Sequence, residues 1–289
     1  MVHPALLFSD ELIESIQATL PELVLDLFVL VTLVGDEETY VVVLLLYFFA
    51  VDREKGIALI AIGLTIAAIT PGLKEGFGID RPPEMLYHRI GAEHYGVPSG
   101  HALGSLVIYG ALLYAIDRVT NRQAAIGAAV IGLSVGVSRI VLGVHYLADM
   151  LAGLAIGIVL LGLFVGYARL DVRRTFIIAA LLTLPVVGVF WHLEEIYFGA
   201  GGLAGAILGW TVSPRRDTIR VDAWTGWLAV AGGVAVVLAV TILLELTPVH
   251  PLPVAVVVGM AAVLYPDCYH ELARRVGDAS PTGDVSEAE

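Results

Sequence analysis

Cysteine is nearly missing from this chain of 289 residues: Cys268 stands alone, so no disulfide can close within it and no redox compartment follows. Lysine is almost as scarce. Only Lys55 and Lys74 occur beside fourteen arginines, and the 16 basic residues face 28 Asp and Glu. Such a balance argues against nucleic acid or anionic headgroup surfaces as partners. It is the balance of surfaces adapted to high salt, although the small soluble fraction of a membrane protein makes any composition look extreme. The N-terminus lacks the basic stretch and cleavage site of a signal peptide, so its first apolar segment is expected to stay in the mature protein. No acidic cluster or His-x-x-x-His pair is placed to hold a divalent metal, and no cofactor is implied.

What is abundant is apolar sequence. Hydrophobic residues make up 58% of the chain and charged residues 15%, with a mean hydropathy of +0.86. The apolar runs are too many and too long for a soluble core, so the chain reads as an all-α integral membrane protein. Phe8, Leu12, Ile16 and Leu20 recur every four residues with Asp10, Glu11, Glu14 and Gln17 between them. Residues 1–21 therefore read as an amphipathic helix, lying on the membrane or packed on the bundle. Ten apolar spans follow, near residues 22–34, 39–51, 57–73, 99–116, 123–141, 145–168, 175–190, 198–213, 224–246 and 251–267. The second and eighth fall short of the ~20 residues that cross ~30 Å of hydrocarbon. Residues 268–289, with carboxylates, Pro, Gly and Ser but no periodicity, are expected to form an acidic disordered tail.

Basic residues orient the spans. Arg53, Lys55, Arg118, Arg122, Arg169, Arg173, Arg174, Arg215, Arg216, Arg220, Arg274 and Arg275 all fall on one side if ten helices alternate. By the positive-inside rule that side is the cytoplasm, with both termini in it. Lys74, Arg81, Arg89 and Arg139 then face outward. Glycine pairs such as Gly132/Gly136, Gly153/Gly157 and Gly162/Gly166, and the triplet Gly201, Gly205 and Gly209, have the spacing that lets helices approach closely.

Three of the four outward cations sit in polar clusters inside apolar surroundings. Lys74 precedes Arg81-Pro82 by six intervening residues at the end of the third span. Pro98-Ser99-Gly100-His101 opens the fourth, and Ser138-Arg139 with His145 and Asp149 joins the fifth to the sixth. Ionisable groups at membrane depth are costly unless they pair or line a wet cavity, so they mark function. Three cations and the free N–H groups of a helix start suit a multiply charged tetrahedral anion, phosphate above all. Phosphoryl transfer needs such charge around its equatorial oxygens. His145 and Asp149, one helical turn apart, suit a nucleophilic imidazole whose far N–H a carboxylate fixes. His101, with no carboxylate in evidence, suits the general acid.

K-x6-R-P, P-S-G-H and S-R-x5-H-x3-D, in this order, resemble the type 2 phosphatidic acid phosphatase (PAP2) family, whose site glucose-6-phosphatases and vanadium haloperoxidases share. The resemblance covers roughly residues 22–168, implying a six-helix catalytic core, with residues 169–267 as four additional membrane helices. It implies a phosphohistidine on His145, support from Asp149, His101 as acid, phosphate binding by Lys74, Arg81, Ser99, Gly100 and Arg139, and no metal. His88, Arg89 and His94, in the loop between the first two motifs, are candidates for a lid or headgroup contact. The expected activity is hydrolysis of a lipid phosphate monoester or diphosphate, phosphatidate-like or isoprenoid, at the outer face of the cell membrane. The motifs equally admit a lipid phosphotransferase, and a non-catalytic transporter of an anionic lipid or phosphate is the alternative of another class. Oligomeric state is not encoded in these features.

Overall fold

The computed structural model describes residues 7–92, 95–214, 217–219, 221, 224–245 and 250–278. Among these the chain is helical, without strands. α1 (Asp10–Thr19) is the amphipathic helix, and each expected span has its helix: α2 (Glu22–Leu33), α3 (Glu37–Ala50), α4 (Arg53–Phe77), α5 (Gly100–Ala115), α6 (Asn121–Val141), α7 (Leu147–Leu161), α8 (Val172–Val189), α9 (Ile196–Val212), α10 (Trp224–Glu245) and α11 (Pro251–Asp278). Five are long and apolar enough to cross a membrane as single helices: α4, α6, α7 with the π-helical turn that extends it to Tyr167, α8 and α11. α5, α9 and Trp224–Val240 of α10 are shorter apolar helices. α5 stands inside the bundle with most of its residues buried, so neighbours rather than lipid cover it.

Polar residues punctuate the apolar chain where helices begin. Asp52 accepts from Lys55 N at 2.9 Å to start α4, Thr120 and Gln123 form a capping box on α6, and Asp171 accepts from Arg174 N at 2.9 Å on α8. Each satisfies an N–H that the helix itself cannot. α4 is the central pillar, packed by α3, α5, α8 and α9. Glycine brings α9 onto α11: a Cβ on Gly205 would lie 2.1 Å from Val256 O, and one on Gly201 2.7 Å from Leu252 O. Gly132, Gly136, Gly153 and Gly157 make comparable approaches, whereas Gly162 and Gly166 face open space.

Two expectations need correction. The first span does not cross the bundle. α1 and α2 meet at a bend of 117°, and both stay at the end where α4 finishes and α5 begins: Gln17 donates to Leu86 O and Val141 O, Glu22 pairs with Arg89, and Thr32 accepts from Arg139. From α3 onward the helices alternate, so α11 ends at the opposite end from α1, whereas both were expected on one side. Residues 22–34 hold no Lys or Arg, so the charge rule had nothing to orient there. The second correction is at the tail. α11 continues past residue 267 to Asp278, held by Arg274 and Arg275 pairing with Glu271; residues 279–289 lie outside the described residues.

The alternation still gathers Arg53, Lys55, Arg118, Arg122, Arg169, Arg173, Arg174, Arg274 and Arg275 at one end; Arg215, Arg216 and Arg220 lie outside the described residues. There Arg53, its side chain fully buried, ties the start of α4 to α11. Its two Nη atoms each lie 3.0 Å from an Asp267 oxygen, with Val263 O at 2.7 Å and Ser213 Oγ at 3.1 Å. Removing one partner of a buried pair leaves the other charge without compensation. Arg53→Met is therefore expected to destabilise the folded protein by about 3–5 kcal/mol, read as thermal unfolding in detergent. Adding Asp267→Asn should recover part of the loss, and equal unfolding of wild type and single variant would remove the pair from the account.

Candidate active site

Antiparallel packing turns three sequence-distant clusters into one. Lys74 lies in the last turn of α4, Ser99–His101 start α5, Arg139 lies in the last turn of α6, and Asp149 in the first turn of α7. All are at the same end of the bundle. Arg81 enters from the loop after Gly78, whose φ of +58° ends α4 in the left-handed conformation that glycine tolerates. The placement suits each charge, since cations are favoured at helix C-termini and a carboxylate at an N-terminus.

His145 is 1% exposed and is held on both ring nitrogens. Nδ1 lies 2.9 Å from Asp149 Oδ2, and Nε2 lies 2.9 Å from Arg81 Nη1. A guanidinium can only donate, so Nε2 must accept, and the ring proton sits on Nδ1, donated to Asp149. Burial first, then the charges of Arg81, Arg139, Lys74 and His101, hold the ring well below the usual imidazole range. The ring is therefore neutral near pH 7, with a lone pair on Nε2. Asp149 also accepts from Tyr146 N at 2.9 Å, and its backbone carbonyl accepts from Ser99 N at 2.9 Å, which fastens the start of α5 to the start of α7.

The turn between α6 and α7 fixes where His145 stands. Gly143 has φ +78°, and a Cβ there would lie 2.0 Å from Leu86 O. Beneath the ring, Gly96 leaves room for Asp149, since its Cβ would lie 2.7 Å from Oδ2. Arg139, 6% exposed, donates from Nη1 to Thr32 Oγ1 at 3.0 Å, while its buried Nε has no partner among the described residues. Arg81 Nη1 donates to Val144 O at 2.7 Å. Lys74, Arg81, Arg139 and His101 all lie close enough to act on His145 electrostatically.

One residue of the site escaped sequence reasoning. Asp36, in the turn between α2 and α3, lies with Oδ1 at 2.8 Å from His101 Nε2. It is the carboxylate that His101 lacked locally. A signal existed: Asp36-Glu37-Glu38 is an acidic run between two apolar spans on the side of the motifs, but only the fold chooses its partner. Ser99 is fully buried and caps α5. The lid candidates go elsewhere: His88 meets Asp26 at 3.3 Å and Arg89 meets Glu22 and Asp26 at 2.8 and 3.0 Å, so the loop is strapped to α2. His94 lies outside the described residues.

A cage of three cations around a neutral, oriented imidazole, with the N-terminus of α5 beside it, can hold a tetrahedral anion against a nucleophile. The turn that builds it tolerates only glycine. Gly143→Ala is expected to cost at least ~1–2 kcal/mol from the left-handed backbone alone, seen as a lower unfolding temperature. An unchanged temperature would mean that the turn relaxes freely.

Residues 54–173 match the family model described as the PAP2 superfamily. Among curated proteins, phosphatidylglycerophosphatase B of Bacillus subtilis (strain 168) is 32% identical over 79 residues, a stretch that covers 25% of this chain and 39% of that protein. The chain thus matches well under half the length of this relative. No solved structure matches it. The stretch similar to the PAP2 superfamily, residues 54–173, carries every motif of the site from Lys74 to Asp149.

Proposed function

We propose that the protein is a membrane phosphatase that hydrolyses a lipid phosphate monoester or diphosphate through a phosphohistidine on His145, without a metal. The observation that carries this reading is how His145 is held: Nδ1 donates its hydrogen bond to the Asp149 carboxylate, and Nε2 accepts from Arg81, the cation that would hold the phosphoryl group. Lys74, Arg81 and Arg139, with the N–H groups of Ser99 to His101, bind the phosphoryl oxygens and neutralise the charge that grows on them. The Nε2 lone pair forms the N–P bond as the P–O bond to the lipid breaks. The leaving oxygen takes its proton from His101, whose imidazolium Asp36 stabilises. Water then attacks phosphorus, His101 takes the proton back, the N–P bond breaks, and phosphate leaves. The relative's name, phosphatidylglycerophosphatase, supports a lipid phosphate as substrate.

The ring of arginines at the opposite end supports a cytoplasmic location for that end and an extracytoplasmic one for the site. The described N-terminal helix then lies outside and the end of α11 inside.

Phosphate release from a panel of lipid mono- and diphosphates by purified protein tests the reading, and release from none of them would end it. His145→Ala should abolish turnover and any acid-labile phosphoenzyme, while a phosphoenzyme that persists would place the nucleophile elsewhere. Because the site holds His145 below its ordinary pKa of about 6.5, the acid limb of kcat/KM should fall below that pH. Arg81 disfavours protonation of the ring, so Arg81→Ala should move the limb upward; a limb that stays in place would detach Arg81 from His145.

A further inference from the structure

Beside the site lies an elongated cavity of about 230 Å3 between α3 and α4 on one side and α9, α10 and α11 on the other. Along α4 it is lined by Ile60, Gly63, Ala67, Thr70 and Lys74. These recur at steps of three and four, so they form one stripe of the helix, about 21 Å long, that ends at the ammonium. Charge is confined to that end, where Lys74 and His101 line the cavity with Glu37. Elsewhere the polar groups are turned inward: the Thr70 hydroxyl donates to Ile66 O at 2.7 Å, and the Tyr40 hydroxyl pairs with Ser105 at 2.9 Å. The facing wall carries Gly202 of α9 and Val258 and Ala262 of α11. These helices lie beyond residue 173, where the family match ends.

A cavity with its charged groups, Lys74 and His101 beside Glu37, gathered at one end and apolar along the rest of its length fits an amphiphile whose anionic group meets Lys74. An apolar cavity of about 150 Å3 stays dry and binds benzene, so this one takes a segment of one hydrocarbon chain. Gly63, Ala67, Gly202 and Ala262 line it with little or no side chain of their own.

We propose that this trough holds the hydrocarbon chain next to the phosphate of the substrate lipid, so that α9–α11 act as a chain-binding wall that sets a preference for long-chain over short-chain phosphates. The inference rests on the lipid phosphatase reading for its substrate, and the continuity of the trough with Lys74 and His101 supplies the register: headgroup at the cations, first part of the chain along α4. It gives the four helices outside the catalytic core a task.

The test uses the full chain in detergent micelles, with Ala262→Val, Ala262→Leu and Ala262→Phe filling the trough by steps and Val258→Phe filling it from a second position. Binding of hexadecylphosphonate, which cannot be hydrolysed, is compared with that of butylphosphonate. The long-to-short affinity ratio should fall in order of side-chain size, by tenfold or more for the Phe variants. A ratio that stays within twofold across the series overturns the proposal, whether both affinities hold, as they would if bulk lipid merely filled the space, or both fall together. Hexadecyl phosphate turnover by the wild type is measured in parallel. Its absence would sink the phosphatase reading alone, because the binding ratio reports on the trough without turnover.

Discussion

Mutual repulsion among Lys74, Arg81 and Arg139 is the constraint on which the rest of the structure depends. Three cations in a largely buried pocket raise one another's energy, and low dielectric amplifies the effect. The fold offsets this with what lies closest to hand: the C-terminal dipoles of α4 and α6 under Lys74 and Arg139, the Asp149 carboxylate, and lone pairs from Thr32, Val144 and His145. The compensation is incomplete, since the buried Nε of Arg139 has no partner among the described residues. A neutral His145 follows from its burial first and from the same repulsion second. In the field of these charges a second proton on the ring is disfavoured, which leaves the Nε2 lone pair in place at neutral pH.

Holding like charges together requires that their supports cannot relax apart, and the bundle provides two clamps. At the site end, Asp149 is a backbone as well as a side-chain partner, since its carbonyl receives Ser99 N while its carboxylate receives Tyr146 N and His145. At the other end, the buried Arg53–Asp267 pair ties α4 to α11. α4 therefore runs from one clamp to the other. It carries Lys74 at its far end and lines the cavity on the way, so the site and helices α9 to α11 share a single member.

Much of this was legible in the sequence. Each apolar run became a helix because the hydrophobic pattern and the polar caps at Asp52, Thr120 and Asp171 act locally. The site residues were legible because arginine, histidine and aspartate in apolar surroundings have few alternatives to one another's company. The count of crossings was not: α2 is as apolar as its neighbours, yet it stays at the site end, because nothing in a segment without Lys or Arg states which end it must occupy. Continuation of α11 to Asp278 was hidden for a related reason, since polar periodicity beyond the membrane gives way to charge pairs such as Glu271 with Arg275 that composition does not weigh.

The sequence by itself determined the helical class and the end of the bundle that would bear the cations, and it pointed to the pairing of His145 with Asp149, because residues four apart about a helix start come to the same side of it. Tertiary structure alone decided that Asp36 serves His101 across 65 residues of chain, that His88 and Arg89 face α2 rather than the pocket, and that α9–α11 close a trough against α4. Those contacts arise between segments whose separation in sequence carries no record of the distance, and they are fixed only when close-packed glycines and buried ion pairs choose which helix faces meet.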